Sequence, residues 1–166
     1  MVRAQDHILW SRNRNYRERM LWPLLQQRLL FEHFTHDASL IPVETYPLWQ
    51  RQFRRLGARA ANAAWYRSGM DQGEIKALRD RIAAEGPLST HAFDSAAESR
   101  EMWARKPHKK ALEQMWYAGV LATAERRNFV KYYDLGERVF PPLPPGALDE
   151  AAAGAALCEL AMERLW

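Results

Sequence analysis

The sequence has little cysteine, little glycine and no long apolar run, and each shortage excludes a class of protein. Cys158 is the single cysteine in 166 residues, which excludes an internal disulfide and a thiolate metal cage and predicts an intracellular, cytoplasmic protein. The eight glycines form no phosphate-binding loop, and no nucleophile elbow is present. No apolar stretch reaches the roughly 18 to 20 residues of a membrane span. We therefore expect no membrane partner and no small-molecule cofactor.

Aromatic residues and basic charge are plentiful instead. Apolar residues make up 48% of the chain, with seven Trp, six Tyr and six Phe, which predicts a folded protein. The net charge is +4, and it is unevenly spread. Residues 105–131 hold seven Lys or Arg and two Glu, while residues 51–67 hold five Arg and no acid. This concentration of positive charge favours an anionic partner.

The first 66 residues predict an irregular start and then a long helix. The stretch DHILWSR (6–12) is typical of a strand. Apolar spacing over 20–29 predicts a helix in which Pro23 lies in the first turn or makes a bend. LFEHFTHDASLIP (30–42) predicts an extended pair, and steps of three and four between apolar residues over 43–66 predict one long helix.

The next segment, 71–140, has the element order of a winged helix. Helices are predicted over 71–86, 89–96 and 107–119 from their apolar spacing and their capping residues. VLATAERRNFVKYYDL (120–135) predicts a β-hairpin with a polar ERRN tip. In a winged helix the third helix enters the major groove and the hairpin contacts the DNA backbone. The predicted fold class is mainly α with short β-hairpins, or α+β.

The third helix, KPHKKALEQMWYAG, has two different faces. At 100° per residue, Leu112, Met115 and Trp116 lie on a core side and a cationic, polar side lies opposite. A basic helix is most often only a solvated face, and a stand-alone winged-helix transcriptional regulator is a second alternative. The predicted contacts to double-stranded DNA are Lys106, Lys109, Lys110, Gln114 and Tyr117 on the helix, and Arg126, Arg127, Asn128 and Lys131 on the hairpin.

The FEHFTHD stretch raises the question of a metal site. It contains Glu32, His33, His36 and Asp37, but the two histidines would point to opposite faces of a strand and no further ligand cluster exists. Hydrogen-bonded structural histidines are therefore favoured, and no metal is predicted. His36 is kept as a candidate pocket residue.

Four stretches together resemble a known family. HILWSRNRNY, LLFEHFTHDASLIP, WARKPHKKALEQMWYAG and ERRNFVKYYDLGERVFP are similar, in this order, to the YcaQ/AlkZ family of winged-helix DNA glycosylases, up to about Pro141. The resemblance implies tandem winged helix-turn-helix units followed by a β-barrel. It also implies repair of alkylated or crosslinked DNA, duplex DNA as the partner of a monomer, and Arg12 and Tyr16 as further candidate pocket residues beside His36.

The resemblance also sets expectations about completeness. The family's catalytic signature is a glutamine, an apolar residue and then aspartate or glutamine, shortly before the segment that matches HILWSR. Gln5 and Asp6 are adjacent and do not fit this signature, so no catalytic role is carried onto them. The expectation is a fragment that binds DNA without base excision. Its parts would be a first winged-helix remnant with the long helix (1–66), a winged helix (71–140), and a proline-rich linker with a C-terminal helix (141–166).

Overall fold

The computed structural model describes residues 4–93, 106–146 and 149–163. These residues form mainly helices with short antiparallel hairpins, which confirms the α+β prediction. The helices are α1 (Ala4–Arg12), α2 (Trp22–Gln26), α3 (Tyr46–Asn62), α4 (Gln72–Glu85), α5 (Pro107–Tyr117), α6 (Gly136–Val139) and α7 (Glu150–Glu163), and the strands are β1 (Leu30–Phe34), β2 (Ala38–Pro42), β3 (Leu88–Ser89), β4 (Leu121–Arg127) and β5 (Val130–Leu135).

The N-terminal segment corrects one prediction. Residues 6–12 lie in helix α1 and not in a strand. A short apolar run cannot by itself distinguish a strand from a helix. Helix α1 is tied to the segment that follows it: Asp6 is buried, and the Tyr16 hydroxyl donates to its Oδ1 at 2.6 Å.

The helix predicted over 20–29 is shorter than its apolar spacing suggests. A single 3-10 turn, Glu18–Met20, precedes α2, and Pro23 lies in the first turn of α2 as expected. The helix ends at Gln26, and Arg28 adopts a φ of +59°. The chain then enters β1 directly, so Leu29 belongs to the connection and not to the helix.

The extended pair and the long helix are both confirmed. β1 and β2 pair antiparallel, from Leu30 opposite Pro42 to Phe34 opposite Ala38. Helix α3 follows and places its apolar stripe inward. One hydrophobic cluster joins the hairpin, α3 and the segment after β5; its buried members are Phe31, Ile41, Trp49, Phe53, Ala122 and Phe140.

The second half contains α4, β3, α5 and the β4–β5 hairpin. Asp71 and Glu74 form a reciprocal capping box at the start of α4. β5 lies between β3 and β4 in a three-stranded antiparallel sheet. The Ser89 side chain caps the next turn, but the described part of the helix predicted over 89–96 is a 3-10 turn, Thr90–Ala92. The rest of that helix lies outside the described residues.

Close contacts join the two halves. A Cβ on Gly57 of α3 would lie 3.0 Å from Ala118 Cβ, and a Cβ on Gly119 would lie 2.7 Å from the Phe53 ring. At the other side of α3, Ala153 of α7 is buried and Arg51 lies 3.8 Å from Glu150. The C-terminal helix therefore packs on α3 beyond the proline-rich segment.

We predict that Gly119→Ala destabilises the fold more than Gly86→Ala. Gly119 has a φ of +74°, and Gly86 has a φ of +86° with a ψ of −156°, conformations in which an L side chain costs about 1–3 kcal/mol. A Cβ at Gly86 would meet nothing within 4 Å, so the free energy of unfolding should fall by no more than this backbone cost. At Gly119 the clash with Phe53 should add about 1–3 kcal/mol to the backbone cost. Urea denaturation of both variants measures the difference, and equal losses would contradict the close approach of Gly119 to Phe53.

Candidate nucleic-acid interface

Helix α5 has the two faces that its sequence predicts. Leu112, Met115 and Trp116 are buried in a cluster with α4 and the three-stranded sheet. Pro107 occupies the first helical position, where its missing N–H costs nothing. Of the predicted DNA contacts on this helix, Lys106 and Lys109 are exposed, and Lys110 and Gln114 are half-buried.

Tyr117 lies in a different environment from the lysines of α5. Its ring centroid is 5.5 Å from that of Phe34, 5.1 Å from that of Tyr66 and 5.2 Å from that of Trp116. The Tyr66 hydroxyl donates to the Tyr117 hydroxyl at 3.4 Å. Tyr117 is thus a half-buried member of the aromatic contact between α5, β1 and the turn after α3.

The turn of the β4–β5 hairpin lies at the end of the predicted ERRN tip and just beyond it, not at its centre. Arg127 pairs with Val130, so the two-residue turn is Asn128 and Phe129, with φ values of +47° and +70°. Arg127 is exposed beside it, 2.5 Å from Glu125 and above the Tyr132 ring. Sequence reasoning missed Phe129, although the register of the two arms was the signal that could have found it.

Arg126 and Lys131 are turned towards a buried acid. The Glu32 carboxylate accepts from Arg126 Nε at 2.5 Å and from Arg126 Nη2 at 2.7 Å, and Lys131 Nζ lies 3.2 Å from it. Thr123 Oγ1 adds a hydrogen bond at 3.3 Å. The exposed side-chain fractions are 3% for Glu32, 15% for Arg126 and 16% for Lys131. One carboxylate thus faces two cations, so the cluster keeps a net charge of +1, and both basic side chains are held largely away from solvent.

Burial and neighbouring charges shift the pKa values of Glu32 and Lys131 within this ion cluster. Burial acts to raise the pKa of Glu32, but the hydrogen bond from Arg126 and the two positive charges outweigh burial and lower it. Burial lowers the pKa of Lys131 to about 8, against the attraction of Glu32. Lys131 Nζ also lies 3.3 Å from the centroid of the Trp116 ring, a cation–π contact. All three groups are charged at neutral pH.

His33 is buried as a neutral structural residue. Trp49 Nε1 donates to His33 Nδ1 at 2.9 Å, so the proton lies on Nε2, which donates to the Trp116 carbonyl at 3.1 Å. Burial lowers the pKa of His33 to about 4, against the hydrogen bond to that carbonyl. Both ring nitrogens are therefore satisfied within the core.

The metal-site alternative finds no support in this arrangement. Glu32 belongs to the ion cluster and His33 to the core, whereas His36 and Asp37 are exposed on the β1–β2 turn. Within residues 4–93, 106–146 and 149–163, no three His, Cys, Asp or Glu side chains lie close enough to hold a metal ion.

A cleft of about 610 Å³ lies between α1, the β1–β2 hairpin and the tip of the β4–β5 hairpin. His36 lines this cleft, together with Glu32, Arg126 and several apolar residues. Tyr16 lines a second cleft of about 410 Å³. Arg12 is exposed at the end of α1 and is not among the residues lining either cleft. The structure therefore does not bring the three predicted pocket residues together.

Comparison with known proteins adds the family. A family model described as "DNA glycosylase AlkZ-like" matches residues 2–165. The chain belongs to the AlkZ-like DNA glycosylase family. The match confirms the resemblance drawn from the four stretches and continues past Pro141 through α7. No solved structure matches the chain.

Membership in the AlkZ-like family supports a role related to DNA repair and implies DNA as the partner. It does not favour the alternative of a transcriptional regulator. Across the part of the chain that the structure describes, no helix has the length and apolar character needed to cross a membrane.

We predict that Glu32→Gln destabilises this AlkZ-like chain by about 3 kcal/mol, because it leaves Arg126 and Lys131 buried without a counter-charge. Glu125→Gln is the matched control, since Glu125 pairs with the exposed Arg127, and such a pair is worth less than about 1 kcal/mol. Chemical denaturation at pH 7 measures both. A loss for Glu32→Gln as small as that for Glu125→Gln would contradict the role assigned to the buried carboxylate.

A pH-dependent loss of stability should follow from His33. Its pKa is about 4 in the folded state, against an ordinary value of 6.5 for a solvated histidine, so the unfolded chain binds the proton first as the pH falls. Stability should therefore drop by about 2 kcal/mol between pH 7 and pH 5 on account of His33 alone. Denaturation at both pH values should show a smaller drop for His33→Gln and an unchanged one for His36→Asn. An equal drop in all three proteins would refute the assignment.

Proposed function

We propose that this chain binds double-stranded DNA through α5 and the β4–β5 hairpin, and that it acts in the repair of alkylated or crosslinked bases. The observation that carries the proposal is the juxtaposition of an amphipathic basic helix and a β-hairpin, in a chain that belongs to a DNA glycosylase family. Phosphate contacts by lysine and arginine supply most of the affinity of such surfaces.

The order of elements supports a winged helix over 71–140. Helix α4 is followed by β3, a 3-10 turn, α5 and the β4–β5 hairpin, and β3 pairs with β5 in the same sheet. In this arrangement α5 is the helix that enters the major groove, and the hairpin is the wing. The terminal segment, 141–166, serves as the linker and the helix that rests on α3.

A tandem arrangement, with a first winged-helix unit within 1–66, is part of the same proposal. Helices α1 and α2 precede the β1–β2 hairpin, and α3 follows it. β1 lies against β4, so the hairpins of the two proposed units are neighbours. Both units would then face one duplex, which a single copy of the chain can bind as a monomer.

Within the proposed interface the residues divide into two roles. Lys106 and Lys109 are exposed on α5 and are proposed to contact phosphates directly, together with Lys110, Gln114, Arg127 and Asn128. Arg126 and Lys131 are proposed to hold the hairpin in place through Glu32, and the half-buried Tyr117 to support α5. Asp6 is buried and accepts from Tyr16, so it is proposed as a structural residue of α1.

The test of DNA binding is a fluorescence anisotropy titration with plain and alkylated duplexes at two salt concentrations. Lys109→Ala should weaken binding to both duplexes and reduce the slope of log K against log salt by about 1, because one phosphate contact is lost. Lys76→Ala is the matched control, since this exposed lysine of α4 pairs with Asp80. Release of free base from the alkylated duplex, followed in parallel, measures excision.

An unchanged salt slope for Lys109→Ala would remove α5 from the proposed interface. Equal weakening by Lys76→Ala would mean that binding depends only on net charge. Failure of the unsubstituted chain to bind any duplex at low salt would reject the proposed function and leave α5 as a solvated basic face.

A further inference from the structure

The tip of the β4–β5 hairpin holds a bulky residue in a conformation that favours glycine. Phe129 has a φ of +70° at the second position of a two-residue turn. Such turns strongly favour Asn-Gly, because both central residues need positive φ. Asn128 fits the first position, but Phe129 is strained at the second. Strain of this kind concentrates at functional sites, where the side chain is needed for another reason.

The Phe129 side chain is also placed at the surface. It is 46% exposed and lines the 610 Å³ cleft, in which Ile8 is 49% exposed. Arg127, next to the turn in sequence, is exposed as well. Its guanidinium lies over the Tyr132 ring. An exposed aromatic ring in a turn that also has an exposed basic side chain next to it in sequence has the chemistry that stacks on nucleobases, since every base offers an apolar face and a neighbouring phosphate.

The backbone of the β4–β5 turn is held in place by Arg126. Arg126 Nη1 donates to the Phe129 carbonyl at 2.7 Å, while the rest of the same guanidinium is held by the buried Glu32 carboxylate. One side chain thus links the backbone of the tip to the core. The Phe129 ring is therefore presented on a fixed support, which lowers the conformational entropy lost when it binds.

We propose that Phe129 is a wedge that inserts into the base stack of duplex DNA at a step that is already weakened, such as a bulge or a damaged pair. Apolar side chains inserted between base steps unstack and kink the duplex, and the cost is least where stacking is already disturbed. The wedge rests on the proposed DNA-binding function and adds recognition of distorted DNA to it. Lys109 and Arg127 supply the phosphate contacts on either duplex.

The test compares two duplexes, one fully paired and one with a single-base bulge, each carrying 2-aminopurine beside the chosen step. The unsubstituted chain should bind the bulged duplex more tightly and raise the 2-aminopurine fluorescence on binding. Phe129→Gly should lower the preference for the bulged duplex about tenfold and abolish the fluorescence rise, because the ring is gone. Its denaturation midpoint should be equal to or higher than that of the unsubstituted chain, since glycine relieves the positive φ.

Two further variants make the result specific. Phe129→Trp keeps an aromatic face and should retain the preference. Arg127→Ala should weaken binding to both duplexes in parallel and leave their ratio unchanged, because it removes charge and not the ring.

Each contrary outcome has its own meaning. If the unsubstituted chain binds neither duplex, the proposed DNA-binding function fails, and the wedge fails with it. If both duplexes bind and Phe129→Gly leaves their ratio unchanged, only the wedge is overturned. A lower denaturation midpoint for Phe129→Gly would overturn the strain argument, and loss of the preference in Phe129→Trp would overturn aromatic stacking.

Discussion

The structure depends on one buried carboxylate. Glu32 lies in β1 of the first hairpin, and it pairs with an arginine and a lysine from the two arms of the second hairpin. A charge inside a protein is tolerated only when it is paired and hydrogen-bonded, so removing the carboxylate would leave both cations without a counter-charge. The cluster therefore ties β1 to the β4–β5 hairpin and fixes the direction in which the hairpin tip points.

A second set of contacts fixes α5 against the same strand. His33, next to Glu32 in the chain, bridges Trp49 of α3 and the carbonyl of Trp116 at the end of α5. Gly57 and Gly119 allow α3 and the end of α5 to approach each other closely. Adjacent residues of β1 thus reach in opposite directions, one to the hairpin and one to the helix, so that the two parts of the proposed DNA surface share one support.

The pairing of Arg126 and Lys131 with Glu32 makes the exposed positive charge of the hairpin smaller than its sequence suggests. Of the basic residues predicted to contact DNA, Arg126 and Lys131 are turned inward to Glu32, and the exposed ones lie at the start of α5 and beside the hairpin turn. Phe129 of the turn and Ile8 of α1 line the same cleft. In the proposed DNA contact, phosphate binding at α5 is combined with base contact at the tip, and both elements are held to β1.

The sequence by itself determined the elements whose signals are local. The period of apolar residues predicted α3, α4 and α5, and capping residues predicted the ends of α4 and α5. Aromatic and branched residues predicted the extended pair over 30–42, and two extended arms around a polar tip predicted the β4–β5 hairpin. Four stretches of sequence were also sufficient to indicate the family. The apolar run over 6–12 did not distinguish a strand from a helix; in the structure these residues are helical, and Asp6 is buried and accepts from Tyr16. Tertiary structure alone decided the partners of Arg126 and Lys131, because Glu32 lies more than ninety residues away in the chain. Periodicity reports which side of an element is buried, whereas the partner of a charge depends on how the elements pack.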